Sequence, residues 1–151
     1  MLPFRHQPPA PTLPARYQLR NDFNPSAEAI NRLLASCGEA TPPLVRWNDA
    51  LARSYGHLCI LDNTDAELVG FVRITSDQAL NANLWNLSAK PGPDQARLFA
   101  VLVHRALSSL RKGLPGCSVS IAAPKSALDA LTSQGFVLDP GGIRAMGLRL
   151  R

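Results

Sequence analysis

The side chains able to do chemistry in this sequence are few and scattered. Cys37, Cys59 and Cys117 are three thiols at wide spacing. An odd number so placed is neither a disulfide framework nor a zinc-ligand pattern, so each is expected to act as a small apolar residue. That usage predicts a reducing, cytoplasmic setting and no bound metal. His57 and His104 have no carboxylate paired with them in sequence and read as structural or surface residues. Trp85 reads as a core or pocket-wall aromatic. Cations are the larger resource. Sixteen Lys and Arg against eleven Asp and Glu leave a formal net charge of +5. Residues 1–20 hold three bases and no acid, residues 21–94 five bases and nine acids, and residues 95–151 eight bases and two acids. The excess in the last third fits an anionic partner as well as a solvated basic surface. No basic run is interleaved with aromatics and no nucleic-acid motif is present, so nucleic acid is not the expected partner.

These groups must be held by one domain, the size that 151 residues with 46% apolar content supports. No apolar run is long enough to span a membrane, and the N-terminus lacks the pattern of a secretory signal. Residues 1–15 carry five prolines (Pro3, Pro8, Pro9, Pro11 and Pro14) and no apolar period, which predicts an extended, disordered arm before a domain over 16–151. Tyr17 and Leu19 alternate with polar neighbours, a short strand. Ser26 is an N-cap for a helix whose stripe is Ile30, Leu33, Leu34 and Cys37, stopped by Gly38. Leu44, Trp47, Leu51 and Tyr55 make a second helical stripe. His57–Leu61 and Leu68–Thr75 predict a hairpin around Asp62-Asn63-Thr64-Asp65, and Ala82–Ala89 a further strand. Gln95–Lys112 is the strongest helix, with Phe99, Leu102, Val103, Ala106, Leu107 and Leu110 on the 3.6 period. Val119–Ala122 predicts a strand, Lys125–Gln134 a short helix, and Phe136–Leu138 and Ile143–Leu150 two closing strands. The step from Ala82–Ala89 through the long helix to Val119–Ala122 implies a right-handed parallel crossover. The expected fold class is therefore α/β: a mixed β-sheet flanked by helices in a single domain.

This order resembles that of the GNAT superfamily of N-acetyltransferases. Leu68-Val69-Gly70-Phe71-Val72-Arg73-Ile74-Thr75-Ser76-Asp77 with Asn81-Ala82-Asn83-Leu84-Trp85 is similar to the third and fourth strands of its cyanobacterial and plastid branch. That branch is related to the plant plastid serotonin and lysine N-acetyltransferases. Gly135-Phe136-Val137-Leu138-Asp139-Pro140-Gly141-Gly142-Ile143-Arg144-Ala145-Met146 is similar to the branch's ending. The resemblance runs from about residue 16 to the end. It implies acetyl-CoA as cofactor and a small-molecule or protein amine as acceptor. It implies a cofactor seat between the fourth and fifth strands, at backbone near Leu87 and Ala89. It also implies a phosphate-binding turn before the long helix, at Gln95, Ala96, Arg97 and Leu98.

The sequence departs from the family pattern at the reacting positions. The family turn reads Gln-Gly-Gln-Gly-Leu-Gly; Asp94, Gln95, Ala96, Arg97, Leu98 and Phe99 stand there, with no glycine and with a carboxylate at its start. Arg97 either compensates as a phosphate partner or is a solvated helix residue. Leu131 occupies the position of the usual proton-donating tyrosine and reads as core. Asn86 stands where the branch has an aspartate; an amide cannot act as base but can hold a substrate. Asp77 either binds the amine or orients water, or it caps the turn after its strand. Two functional expectations follow: an acetyl-CoA-dependent N-acetyltransferase with an altered cofactor turn, or a non-catalytic member of the fold that binds a protein partner. The oligomeric state is left open.

Overall fold

The computed structural model describes residues 9–150 of the chain. Five strands form one sheet in the order β1 (Tyr17–Arg20), β2 (Gly56–Asp62), β3 (Leu68–Ser76), β4 (Asn81–Ala89) and β5 (Ser118–Ile121). The first three pairings are antiparallel and β4 with β5 is parallel. The parallel step is bridged by the long helix α3 (Gln95–Gly113), as a crossover requires. The sheet is thus mixed, and the expected fold class is what the chain adopts. Residues 1–8, half of the expected proline-rich arm, lie outside the described residues. Of the rest, Leu13 packs against the core and the Ala15 carbonyl accepts from Asn63 Nδ2.

Each face of the sheet is covered because each carries its own apolar set. On one face lies α3, with Leu98, Phe99, Leu102, Val103, Ala106 and Leu110 among its buried residues. They meet Leu58, Ile60, Val72, Ile74, Leu84 and Leu87 from the strands, and α4 (Leu128–Ser133) completes that layer through Leu131. On the other face lie α1 (Ala27–Ser36) and α2 (Trp47–Ala52). Ser26 Oγ accepts from Ala29 N at 3.1 Å and starts α1, which buries Ile30, Leu33 and Leu34. Trp47 meets Phe71 edge-on, ring centroids 6.2 Å apart.

Two sequence expectations are corrected. The stripe over Leu44–Tyr55 is not one helix: Leu44–Arg46 is a 3-10 turn, α2 ends at Ala52, and Tyr55 N already bonds the Ile74 carbonyl at 2.8 Å. The sheet's hydrogen bond takes the residue that a longer helix would have used. Phe136–Leu138 and Ile143–Leu150 are not strands. After α4 the chain runs through a turn at Pro140–Gly142 and continues with Ile143, Met146, Leu148 and Leu150 exposed. A strand needs a neighbour to satisfy its backbone, and within the described residues none lies beside these segments.

Phe99, standing where the family has a glycine, is 1% exposed. It therefore belongs to the core and not to the turn. Its replacement by alanine would empty a volume that the core does not refill. We expect Phe99→Ala to cost about 3–5 kcal/mol, read as a lower midpoint at constant slope in urea unfolding.

Candidate functional site

The site forms where β4 loses one of its two neighbours. Asn81–Leu84 pair with Ser118–Ile121, and there β5 ends. β4 continues five residues further with β3 on one side only. Lys90 N bonds back to Val69 O at 2.8 Å. Strand alternation then turns the peptide groups of Leu87 and Ala89 to the side that β5 has left. This unpaired side of β4 is the slot, and α3 starts beyond its end.

A bulge shapes the slot's entrance. The β3–β4 register shifts between Phe71 and Arg73, and Asn86 holds a left-handed φ of 56°. Asparagine is among the few side-chain-bearing residues that enter this region readily. Asn86 Oδ1 accepts from Arg73 Nε at 3.2 Å, and Arg73 Nη1 donates to Ser54 Oγ at 3.3 Å. No described carboxylate lies within ion-pair distance of Arg73, and burial lowers its pKa from the usual value. Trp85, opposite Arg73 in register, is 42% exposed, and its Nε1 donates to Thr75 Oγ1 at 2.7 Å. The open face beside the slot is therefore polar, with one half-buried cation and one aromatic.

The far end is the N-terminus of α3. Gln95 N bonds Gly92 O and Leu98 N bonds Asp94 O. Among the described residues the N–H groups of Ala96 and Arg97 have no protein acceptor, as the first turn of a helix leaves them. Both residues are exposed. Asp94 is not a side-chain cap; its Oδ2 accepts from the Tyr17 hydroxyl at 2.7 Å. That bond raises the tyrosine pKa, with burial adding to it. Tyr17 is in turn placed by its neighbour: Arg16 Nε donates to Asp62 Oδ2 at 3.1 Å. The Thr64 hydroxyl, then the Thr64 N–H, then Arg16 hold the Asp62 carboxyl down at about 2.

The candidate residues read from sequence separate into three groups. Ala96 and Arg97 stand at the open helix end. The side chains of Leu87, Ala89 and Leu98 are buried, so only their backbone can face a ligand. Gln95 does not point outward: its Nε2 donates to the Ala89 carbonyl at 3.0 Å, and Cys37 Sγ donates to the same oxygen at 3.3 Å. Asp77 Oδ1 accepts three backbone N–H groups, from Ala79, Leu80 and Asn81, which lower its pKa. It sits in the turn before β4, whose first residue, Asn81, is five residues or roughly 16 Å from Asn86. Leu131 is 2% exposed and packs in the core. His57 Nε2 is 2.7 Å from the Phe23 carbonyl, a structural contact. Sequence reasoning missed Tyr17, Cys37, Arg73 and Ser54. Only Arg73 carried a local signal, a cation on an otherwise apolar strand. No cluster of three His, Cys, Asp or Glu able to hold a metal occurs among the described residues. No helix among them is long and apolar enough to cross a membrane.

No family model matches the chain. Individual proteins do. An N-acetyltransferase of Pyropia yezoensis, ycf52, described as uncharacterized, is 28% identical over 130 residues, covering 85% of this chain and 74% of the relative. A chloroplastic GCN5-related N-acetyltransferase 2 of Arabidopsis thaliana is 32% identical, covering 69% of this chain and 47% of its own. The probable acetyltransferase SA2161 of Staphylococcus aureus superposes with a TM-score of 0.79 at 13% identity, over 89% of this chain and 99% of that one.

The Asp62 cluster yields a pH prediction. A carboxyl depressed when folded contributes stability that is present above its unfolded value near 4 and is lost as pH falls through about 2. Asp62→Asn should therefore lower the thermal midpoint at neutral pH. It should also flatten the acid limb between about pH 4 and 2, read by circular dichroism melts across that range.

Proposed function

The chain is a relative of the cyanobacterial and plastid N-acetyltransferases within the GNAT superfamily, and from that premise we propose that it transfers an acetyl group from acetyl-CoA to an amine. When bound, acetyl-CoA supplies the thioester that an amine attacks. The observation that carries the reading is the edge of β4 that β5 leaves unpaired beside Leu87 and Ala89, followed by two unclaimed N–H groups at the start of α3. The Ala96 and Arg97 N–H groups are the donors for an anionic phosphate, strengthened by the helix dipole and by the exposed Arg97 guanidinium. The Asp94 carboxylate stands at the same end. One of its oxygens accepts from the Tyr17 hydroxyl of β1, and it caps none of the helix N–H groups.

The acceptor's side is the polar face around Arg73, Trp85 and Asn86. Leu131 cannot donate a proton to a departing thiolate, so proton traffic there runs through water. Arg73 has a different role. A half-buried guanidinium lacking a carboxylate disfavours a second positive charge beside it. It holds an arriving amine in its neutral, nucleophilic form, with Asn86 and Ser54 fixing the guanidinium in place. Proximity supplies the remaining acceleration. Three free thiols suit a reducing compartment, cytoplasmic or plastidial.

A second reading has its own observation. The Ala89 carbonyl, the acceptor a ligand in the slot would use, is already taken by Gln95 and Cys37. A non-catalytic binding protein could keep that carbonyl capped permanently. Calorimetric titration with acetyl-CoA separates the two. The transferase reading expects saturable micromolar binding, weakened about tenfold or more by Arg97→Glu. No heat at millimolar acetyl-CoA would overturn it in favour of the second. In an acetyl-transfer assay, Arg73→Met should move the rising limb of kcat to higher pH, because the bound amine regains its ordinary basicity.

A further inference from the structure

At the β1 edge of the sheet, away from the slot, a strand is much shorter than the helix beside it. β1 has four residues and α3 nineteen. They start together, where the Tyr17 hydroxyl meets Asp94, and the helix runs on to Gly113 beside Tyr55. Pairing along β1 stops at Arg20 with Cys59. Gly56, His57 and Leu58 of β2 are therefore paired with β3 but not with β1. A crevice of about 500 Å³ opens there between α3 and the start of β2. Small-molecule sites have volumes of roughly 300–1,000 Å³.

Two glycines shape it. Leu58 and Ile74 belong to the core layer under α3, and Gly56, two residues before Leu58 and opposite Ile74, shares their side. The Gly56 backbone is not left-handed, so no turn demands a glycine. A Cβ there would meet nothing beyond its chain neighbours within 4 Å. A strand glycine of this kind leaves room for something to approach. On the far wall a Cβ at Gly113 would strike the Tyr55 hydroxyl, so glycine lets that ring lie against the end of α3. The lining is mixed: Leu19, Leu58 and Ile74 are apolar, and Asn21, Arg105 and Ser109 are polar. Arg105 and Ser109 stand one turn apart on the same face of α3. Arg105 forms no ion pair among the described residues. The His57 ring is turned to the other side of the sheet, against Phe71 and the Phe23 carbonyl.

We propose that this crevice is a second binding site, for a small organic acid with an apolar body, its carboxylate held by Arg105. A planar guanidinium matches a carboxylate through two parallel N–H bonds. The apolar walls take the hydrocarbon body, and Asn21 and Ser109 supply hydrogen bonds at the rim. A phosphate is less well served. It carries more charge than one guanidinium answers, and the N–H groups at the start of α3 lie ten residues, or about 15 Å along the axis, before Arg105. The site lies beside β1 and β2, and the acetyl-CoA slot beside β4, so this inference does not rest on the transferase reading.

The test titrates the isotopically labelled full chain with phenylacetate and with its neutral counterpart phenylacetamide, following amide NMR shifts. Phenylacetate should give saturable shifts at Gly56, Leu58, Ile74 and Ser109, and phenylacetamide should bind the same place about tenfold more weakly. Arg105→Met should weaken phenylacetate by about tenfold and leave phenylacetamide unchanged. Gly56→Leu fills the floor and should abolish the response to both compounds, with circular dichroism melts reporting that the variant is folded. Should that variant fail to fold, Arg105→Met decides alone, because its side chain is exposed. Shifts that never saturate overturn the proposal. So does an equal affinity for the two compounds, or a phenylacetate affinity that Arg105→Met leaves intact. Saturable shifts confined to Ala96 and Arg97 also overturn it, since they place the acid at the start of α3.

Discussion

Beyond Leu84, β4 has a neighbour on one side only, and most of the functional geometry follows from that constraint. Peptide groups that a longer β5 would have used must find other partners, since buried backbone polar groups are costly to leave alone. The chain answers locally. The bulge at Asn86 re-aims the strand, the amide of Asn86 holds Arg73, and the Ala89 carbonyl takes donors from Gln95 on α3 and Cys37 after α1. One unpaired stretch of strand thereby fixes elements from both faces of the sheet around a single slot. Ser88, within this stretch, keeps a buried hydroxyl with no partner among the described residues, so the accounting is not fully closed from within the protein.

Electrostatics at the slot are set by pairs that lie far apart in sequence. Asp94 would place a bare carboxylate at the helix end where an anion is expected, but Tyr17 from the opposite edge strand occupies it. Arg16 and Asp62 anchor that tyrosine's strand, with Thr64 completing the carboxylate's shell. The basic excess of the last third is a weaker guide than it looks. Arg111 and Lys112 lie at the far end of α3 from the slot, and Arg144 is engaged by Asp139. Arg97 is the positive group of that third that stands in the first turn of α3.

The strong elements were legible because their patterns are local. Phe99 to Leu110 repeats on the helical period, and the Leu68–Ser76 strand announces itself by β-branched and aromatic residues between turns. Ser26 is a cap by chemistry and proved one by geometry. The errors came where a segment's state depends on what lies next to it. Tyr55 looked helical and was taken by Ile74; Ile143–Leu150 looked like a strand and has no neighbour to pair with in its own chain. Periodicity measures a segment's readiness to bury one side, and it does not contain the partner.

By itself, then, the sequence determined the mixed α/β architecture, its crossover helix, the position of the turn before that helix, and the absence of glycine from Asp94 to Phe99. These depend on neighbours along the chain: apolar period, caps and turn residues. Only the tertiary structure decided which groups at the site are free and which are spent. Gln95 turns inward, Asp94 is claimed by Tyr17, Asp77 is consumed by its own turn, and Arg73 is left without a carboxylate. Whether a side chain can do chemistry rests on its hydrogen-bond partners and its burial. Those are set by strands and helices tens of residues away, through contacts that no local pattern records.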